Sequence, residues 1–217
     1  MKPSKTSTFG TVSWQRVILT SLITICVWPP SIDAAIVRLK SRTIDTGSVK
    51  LTGAASLAKE RHCILAFSKL VNSSTHEALK RAGVMPLEWV PDNAIAAYVP
   101  AGADLSSVTD LVWVGFLEPT DKISAGMVKV GGEEKWAVVD FFSDVSGEKA
   151  IAAIKRAGGC IRKHPDMRRG SYLVYGNGGV MEALAKEDPV SFIFPASKAL
   201  IAAKSVHFCP GPLTEFG

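Results

Sequence analysis

His76-Glu77 begins a string that could form half of a catalytic metal site. A zinc-binding helix of the His-Glu-x-x-His type needs its histidines four residues apart, because that spacing puts both imidazoles on one helix face. Lys80 occupies the position of the second histidine. We therefore interpret His76 as a helix-surface residue and predict no metal site and no cofactor.

Nucleophilic catalysis would require a serine or cysteine beside a histidine and an acid. A sharp glycine-flanked turn usually presents the nucleophile, and no Gly-x-Ser-x-Gly string occurs here. The four histidines, at positions 62, 76, 164 and 207, fall in predicted strands, a helix face and the tail. His62 and His164 fit half-buried strand positions better than general bases, so we predict that the chain is not an enzyme.

The Gly176-Asn177-Gly178-Gly179 string precedes a predicted helix, so its amides have the right place to hold an anion. No Lys-Ser/Thr pair follows it, and the glycine spacing is not that of a dinucleotide-binding loop. We interpret it as a plain strand-to-helix loop.

The cysteines are Cys26, Cys63, Cys160 and Cys209. Export would remove the first and leave an odd number in an oxidising compartment, so one thiol is free or pairs with another chain. Cys63 and Cys160 lie in apolar strand-like stretches typical of small buried residues. Cys209, beside Pro210, is the one we expect to have an outside partner.

The N-terminus is typical of an export signal. Lys2, Lys5 and Arg16 precede the twelve-residue apolar run from Val17 to Trp28, and small residues follow near Ala34. The run is shorter than the roughly twenty residues that span a bilayer, so a retained membrane helix is the less favoured alternative. We predict a signal peptide over residues 1–34, a secreted or periplasmic location and no membrane association afterwards.

The formal charge of +5 does not indicate nucleic-acid binding. Six basic residues and one acidic residue lie within the first 42 positions, and the rest of the chain has 19 of each sign. Nucleic-acid surfaces need clustered Lys and Arg, usually beside aromatic side chains. We therefore predict no nucleic-acid partner.

An internal repeat defines the organisation. Lys80-Arg81-Ala82-Gly83 recurs as Lys155-Arg156-Ala157-Gly158, and Pro91-Asp92 recurs as Pro165-Asp166. Around both copies, hydrophobic periodicity predicts strand, helix, strand, strand, helix, strand. That order predicts an α+β fold of two tandem ferredoxin-like βαββαβ units, each an antiparallel sheet with helices on one face. The free sheet faces could pair with each other or meet a partner.

The boundaries follow from the repeat. An extended lead-in over 35–60 should add little to any core, and the first unit spans 61–123. A linker over 124–134 leads to the second unit at 135–197, and an extended tail covers 198–217.

Two stretches resemble known families. Residues 87–94 (LEWVPDNA) with 112–123 (VWVGFLEPTDKI) resemble the N-terminal regions of secreted bacterial subtilisin-like peptidases. Ala157-Gly158-Gly159, His164-Pro165-Asp166 and residues 190–197 are similar to the segment that precedes matrixin-like zinc peptidase domains. The resemblance implies a pro-region that assists folding of a peptidase domain and blocks its cleft, although no peptidase sequence is present here.

The resemblance also implies a binding segment for that peptidase. An extended tail would lie in the cleft as an added strand, and we assign partner contacts to Pro195, Ala196, Ser197, His207, Cys209 and Pro210. The Cys209 thiolate is a further candidate for the open position on a catalytic zinc, which would keep the enzyme latent. The alternative to a pro-region is a stand-alone module of the cell envelope with no peptidase partner.

Overall fold

The computed structural model describes residues 35–48, 58–128, 135–165 and 167–202, and the backbone of 206–208. These residues form a mixed α+β structure with antiparallel sheets, all within one compact unit. The strands are β1 Ile36–Arg38, β2 Thr43–Asp45, β3 Arg61–Phe67, β4 Met85–Val90, β5 Ala94–Val99, β6 Leu111–Gly115, β7 Lys135–Phe141, β8 Cys160–Lys163, β9 Ser171–Gly176, β10 Val190–Pro195 and β11 Val206–Phe208. The helices are α1 Ser73–Arg81, α2 Pro119–Lys122, α3 Ala125–Val128, α4 Gly147–Arg156, α5 Gly178–Lys186 and α6 Lys198–Ala202.

The first half of the fold is a four-stranded sheet in the order β4-β5-β3-β6, with every pair antiparallel. Side chains alternate between its two faces along each strand. Leu65 and Phe67 of β3 pack with Leu79 of α1 and with Leu105, which lies in a single 3-10 turn. The repeat predicts a second helix at this point of the first half, so this element is shorter than expected.

The second half repeats that strand order and adds one strand. Its sheet runs β10-β7-β9-β8-β11, again with every pair antiparallel. Val139, Val174 and Ile193 on one face bury themselves against Ile154 of α4 and Leu184 of α5. The predicted strand, helix, strand, strand, helix, strand order is found here in full.

Local sequence signals explain where these elements begin and turn. Asn72, Ser146 and Asn177 each accept a hydrogen bond from a backbone N–H in the first turn of α1, α4 and α5. Asp92 and Asn93 both adopt positive φ, near +64° and +65°, in the tight turn from β4 to β5. Residues of this kind tolerate left-handed φ, which is why the chain reverses there.

The lead-in was wrongly expected to add little to a core. Strands β1 and β2 pair as a hairpin, and Val37 of β1 is completely buried. Val37 and Ala35 pack on the face of the first sheet that α1 leaves free, beside Ala96 and Trp113. The lead-in is therefore a structural layer over residues 35–48.

The predicted linker and tail also contain regular structure. Helix α2 ends just before the predicted linker, and α3 lies within it. Residues 129–134 of the linker lie outside the described residues. The tail, predicted to be extended, begins with α6, and β11 then pairs with β8 of the chain's own sheet. The last described stretch of the tail is thus part of the second sheet.

One residue of the second half enters the core of the first. Phe142, directly after β7, is buried against Ile64, Ala66 and Trp113 on the free face of the first sheet. The face whose partner the sequence left open is covered by the lead-in hairpin and Phe142.

Val37→Ala should lower the free energy of unfolding by about 2 kcal/mol, because it removes two buried methyl groups and leaves a cavity. The neighbouring Ile36 is 46% exposed, so Ile36→Ala should change stability by no more than about 0.5 kcal/mol. Urea unfolding of the two variants measures the difference. Equal, small effects would mean that the hairpin does not pack on the sheet.

Candidate functional site

The densest group of ionisable side chains lies where the two halves meet. His62 stands near the start of β3 in the first sheet, and only 8% of its side chain is exposed. Asp144 follows β7 and Asp188 precedes β10, so both acids come from one end of the second sheet. β7 and β10 are antiparallel neighbours, with Val190 opposite Phe141, which brings the two loops together.

Each nitrogen of the His62 ring meets one of these acids. Nδ1 lies 2.5 Å from an Asp188 carboxylate oxygen, and Nε2 lies 3.1 Å from both oxygens of Asp144. The His62 backbone N–H also donates to Asp188 at 3.2 Å. The ring stacks on Phe142, with a centroid distance of 4.4 Å and an interplanar angle of 7°. These contacts define the His62 clamp, made of His62, Asp144, Asp188 and Phe142.

The contacts within the clamp favour the charged forms of His62 and Asp188. Burial disfavours the imidazolium, but hydrogen bonds and charge from Asp188 and Asp144 outweigh it and raise the pKa of His62. Burial likewise works against the carboxylate of Asp188, but the bond to His62 prevails and lowers the pKa of that acid. A protonated His62 donates from both ring nitrogens, so the clamp is an ion-paired link between the halves.

The same geometry leaves His62 poorly suited to act as a base. Both nitrogens are occupied by carboxylates, and the adjacent thiol of Cys63 is 2% exposed. Burial, with a smaller effect from the charge of Asp188, raises the pKa of Cys63 to about 12. A thiol in that state supplies almost no thiolate at neutral pH.

A cavity of about 230 Å³ lies beside the clamp. Its walls include three apolar and three basic side chains: Phe116, Leu117, Phe142, Arg61, Lys122 and Lys186. His62 and Asp188 also line it, so the clamp and the cavity form one site.

Lys122, the last residue of α2, is 4% exposed. Its Nζ donates to the carbonyl oxygen of Glu187 at 2.7 Å and to that of Asp188 at 3.3 Å, just beyond the end of α5. Burial lowers the pKa of Lys122 to about 8, although the charge of Asp188 partly opposes the shift. The side chain thereby ties α2 to the loop that carries Asp188.

A second buried acid, Asp121, fixes the lead-in beside this site. Arg42 donates to both oxygens of its carboxylate at 2.8 and 2.9 Å. Ser41 and the backbone N–H of Glu118 supply two more hydrogen bonds. Burial opposes the charge on Asp121, but these donors prevail and lower its pKa. A fully bonded carboxylate of this kind holds α2 in place, and Lys122 with it.

Among the predicted partner-binding residues, those that the structure describes lie away from the clamp. Pro195 ends β10, the Ala196 N–H donates to the Trp136 carbonyl, and Ser197 bonds into the start of α6. The backbone of His207 lies in β11, opposite Arg162. Cys209 and Pro210 lie outside the described residues. The described parts of the predicted binding segment, 195–202 and 206–208, therefore belong to the chain's own fold.

The cysteines differ from one another. Cys63 is buried and free, as expected for a small core residue. Cys160 is disulfide-bonded, which corrects our interpretation of it as a simple buried residue. Its partner lies outside the described residues, since Cys63 is the free cysteine among them.

Sequence reasoning placed His62 as a buried strand residue but did not find its acids. Asp144 lies in the loop before the Ser146 cap, and Asp188 lies in the loop before β10. One signal was available: in the repeat, Asp110 precedes β6 much as Asp188 precedes β10. Asp110 pairs with the exposed Lys69 of its own half, at 2.9 Å, whereas Asp188 reaches across to His62.

Among the described residues, no three or more His, Cys, Asp or Glu side chains are arranged so that they could hold a metal ion. None of the helices in that part of the chain is both long and apolar enough to cross a membrane.

Comparison with known proteins gives one match. Residues 38–118 match a family described as a domain of unknown function (DUF8729). The matched stretch includes the whole first sheet, β2 and the last residue of β1, and it leaves out the buried Val37. No curated protein and no solved structure matches the chain.

His62→Gln should lower stability by about 2 kcal/mol at pH 6, less than the loss of a fully buried ion pair because Asp188 is 37% exposed. Folded His62 holds its proton more tightly than unfolded histidine. Its contribution is thus complete below about pH 6.5 and is lost as pH rises through the raised folded pKa. Urea unfolding from pH 5.5 to 9 should show wild type and variant converging as pH rises. His76→Gln, on the surface of α1, is the control, and a gap constant with pH would contradict the charged clamp.

Cys209 is the partner that we expect for Cys160. Phe208 lies opposite Ile161 in the antiparallel pair of β11 with β8, so position 209 is next in sequence towards Cys160. Peptide mapping of the unreduced chain by mass spectrometry should recover a peptide containing Cys160 linked to one containing Cys209. Recovery of Cys160 linked to Cys26, or of Cys209 joined to another chain, would show that this assignment is wrong.

Proposed function

We propose that this chain is a non-catalytic, secreted binding module of the peptidase pro-region type, built from two ferredoxin-like units. It would act on a subtilisin-like or matrixin-like peptidase domain as an inhibitor or folding assistant. The observation that carries the proposal is the strand order. In the first half, β5 lies between β3 and β4, and β6 pairs with the other edge of β3. In the second half, β9 lies between β7 and β8, and β10 pairs with the other edge of β7. This is the strand order of ferredoxin-like units.

The packing supports the tandem arrangement. One face of each sheet packs against helices. Helix α1 packs on the first sheet, and helices α4 and α5 pack on the second. The His62 clamp and Phe142 then join the halves, so that a partner would meet one rigid body and not two loosely tethered units.

The chemistry at the joint supports a binding role over catalysis. His62 has both nitrogens engaged, and Cys63 is a buried thiol. Both His62 and Cys63 are thus accounted for by packing and ion pairing at this joint.

One observation favours the stand-alone alternative. β11 already occupies the edge of β8, so residues 206–208 pair with the chain's own sheet. A tail that must enter a peptidase cleft as an added strand would first have to leave that edge. A cell-envelope interaction module would have no such requirement.

The decisive experiment is inhibition of one subtilisin-type and one matrixin-type peptidase by the purified chain, followed with a fluorogenic peptide. The pro-region proposal expects slow, tight inhibition of one enzyme. Lys163→Pro, in β8 opposite Val206, should weaken the pairing of β11 without changing the tail and speed the onset of inhibition several-fold, roughly as expected for a strand that loses about 1–2 kcal/mol.

Lys80→Met, on the exposed side of α1, is the matched surface control and should behave as wild type. Rapid digestion of the chain with no inhibition of either enzyme would contradict the pro-region proposal and favour the stand-alone module.

A further inference from the structure

We infer that the cavity beside the His62 clamp is a binding site for a small carboxylate carrying an apolar group, with Lys122 as its charged anchor. The inference does not depend on the proposed function, because it rests on this cavity alone. It assigns a ligand class to a site that the resemblance to pro-regions leaves without a role.

The charge of Lys122 is buried and lacks an ion-pair partner among the described residues. The ammonium is 4% exposed, and its two hydrogen bonds go to neutral carbonyl oxygens. Burying an ammonium that has no ion-pair partner costs several kcal/mol, and the more distant charges of Asp188 and Glu187 offset that cost only in part. An anion in the adjoining cavity would supply that partner.

The nearest acid is already engaged. Asp188 contacts the His62 ring at 2.5 Å and Arg61 at 3.7 Å. The two clamp carboxylates are therefore balanced by protonated His62 and Arg61, and the cavity wall retains Lys122 and Lys186 as excess positive charge. A positive, partly enclosed wall favours an anion over a neutral molecule.

The Lys122 ammonium also has an N–H donor left for a ligand. An ammonium has three N–H groups, and Lys122 uses two of them on Glu187 and Asp188. The third remains for a ligand oxygen. Capping the end of α5 thus leaves Lys122 with a donor still to use.

The walls and size set the rest of the ligand. Phe116, Leu117 and Phe142 provide apolar surface opposite the charges. Drug-sized ligands occupy cavities of about 300–1,000 Å³, so a volume of about 230 Å³ fits a smaller molecule. An acid the size of a single apolar amino acid matches both features, whether free in solution or at the C-terminus of a peptide.

Acetylation of Lys122 in the full wild-type chain tests this inference. Trace acetic anhydride is added at pH 8, and modification of each lysine is followed by mass spectrometry with N-acetyl-leucine as the probe. A bound carboxylate stabilises the ammonium, so saturating probe should slow acetylation of Lys122 about tenfold, the change typical of contact between opposite charges. N-acetyl-leucinamide, which lacks the charge, should change the rate by less than about twofold on the same reasoning.

Variants and a second probe complete the test. Lys122→Met should abolish calorimetric binding of N-acetyl-leucine, and the surface variant Lys80→Met should retain it. A peptide ending in a free Leu carboxylate tests whether the ligand can be the C-terminus of a larger molecule. Protection of Lys122 by both N-acetyl-leucine and the peptide supports a carboxylate site that accepts either source. Protection by N-acetyl-leucine alone restricts the site to small molecules. Equal effects of acid and amide, or no protection by either acid, would overturn the inference even if Lys122→Met fails to fold.

Discussion

The ion-paired hydrogen bonds of His62 with Asp144 and Asp188 are the interaction on which the joint between the two sheets depends. Each sheet has its own helical core, and either core could in principle form without the other. Contact between the halves is different, because it brings an imidazole and two carboxylates out of water together. Such a group is stable when every member has a partner, and here both ring nitrogens and the His62 backbone N–H are engaged. Phe142 completes the arrangement by stacking on the ring and filling the core on the free face of the first sheet.

This joint determines where a ligand-sized space can exist. Asp188 approaches β3 because His62 attracts it, and Lys122 holds the same loop through two carbonyl oxygens. Asp121, bonded to Arg42, Ser41 and the Glu118 amide, fixes the helix that carries Lys122. The cavity is thus enclosed by three segments that are distant in sequence: the start of β3, α2 and the end of α5. A buried ammonium and a partly buried ion pair lie side by side there, and such pairs of perturbed groups are more common at functional sites.

Much of the fold followed from short-range signals. The cap residues Asn72 and Ser146, the Asp92-Asn93 turn and the alternating apolar strands act through their immediate neighbours, so the sequence reveals them directly. The lead-in hairpin escaped prediction because β1 and β2 are three residues each and weakly patterned, and Val37 is buried only when the first sheet is beneath it. The 3-10 turn at Leu105–Ser107 and helix α6 were misjudged for the same reason, since short elements take their form from what they pack against.

The amino-acid sequence by itself determined the tandem repeat, the order of strands and helices in each copy, and the burial of Cys63, because periodicity and caps are local properties. The tertiary structure decided the rest. In the tertiary structure, the loop before β10 faces the first half, so Asp188 contacts His62. The comparable Asp110, before β6, pairs with Lys69 of its own half. The tertiary structure also placed Cys160 in a disulfide, paired β11 with β8, and buried Lys122 without an ion pair among the described residues. Each of these outcomes depends on residues far apart along the chain meeting in space, and no local pattern of residue types encodes which of several similar side chains will meet.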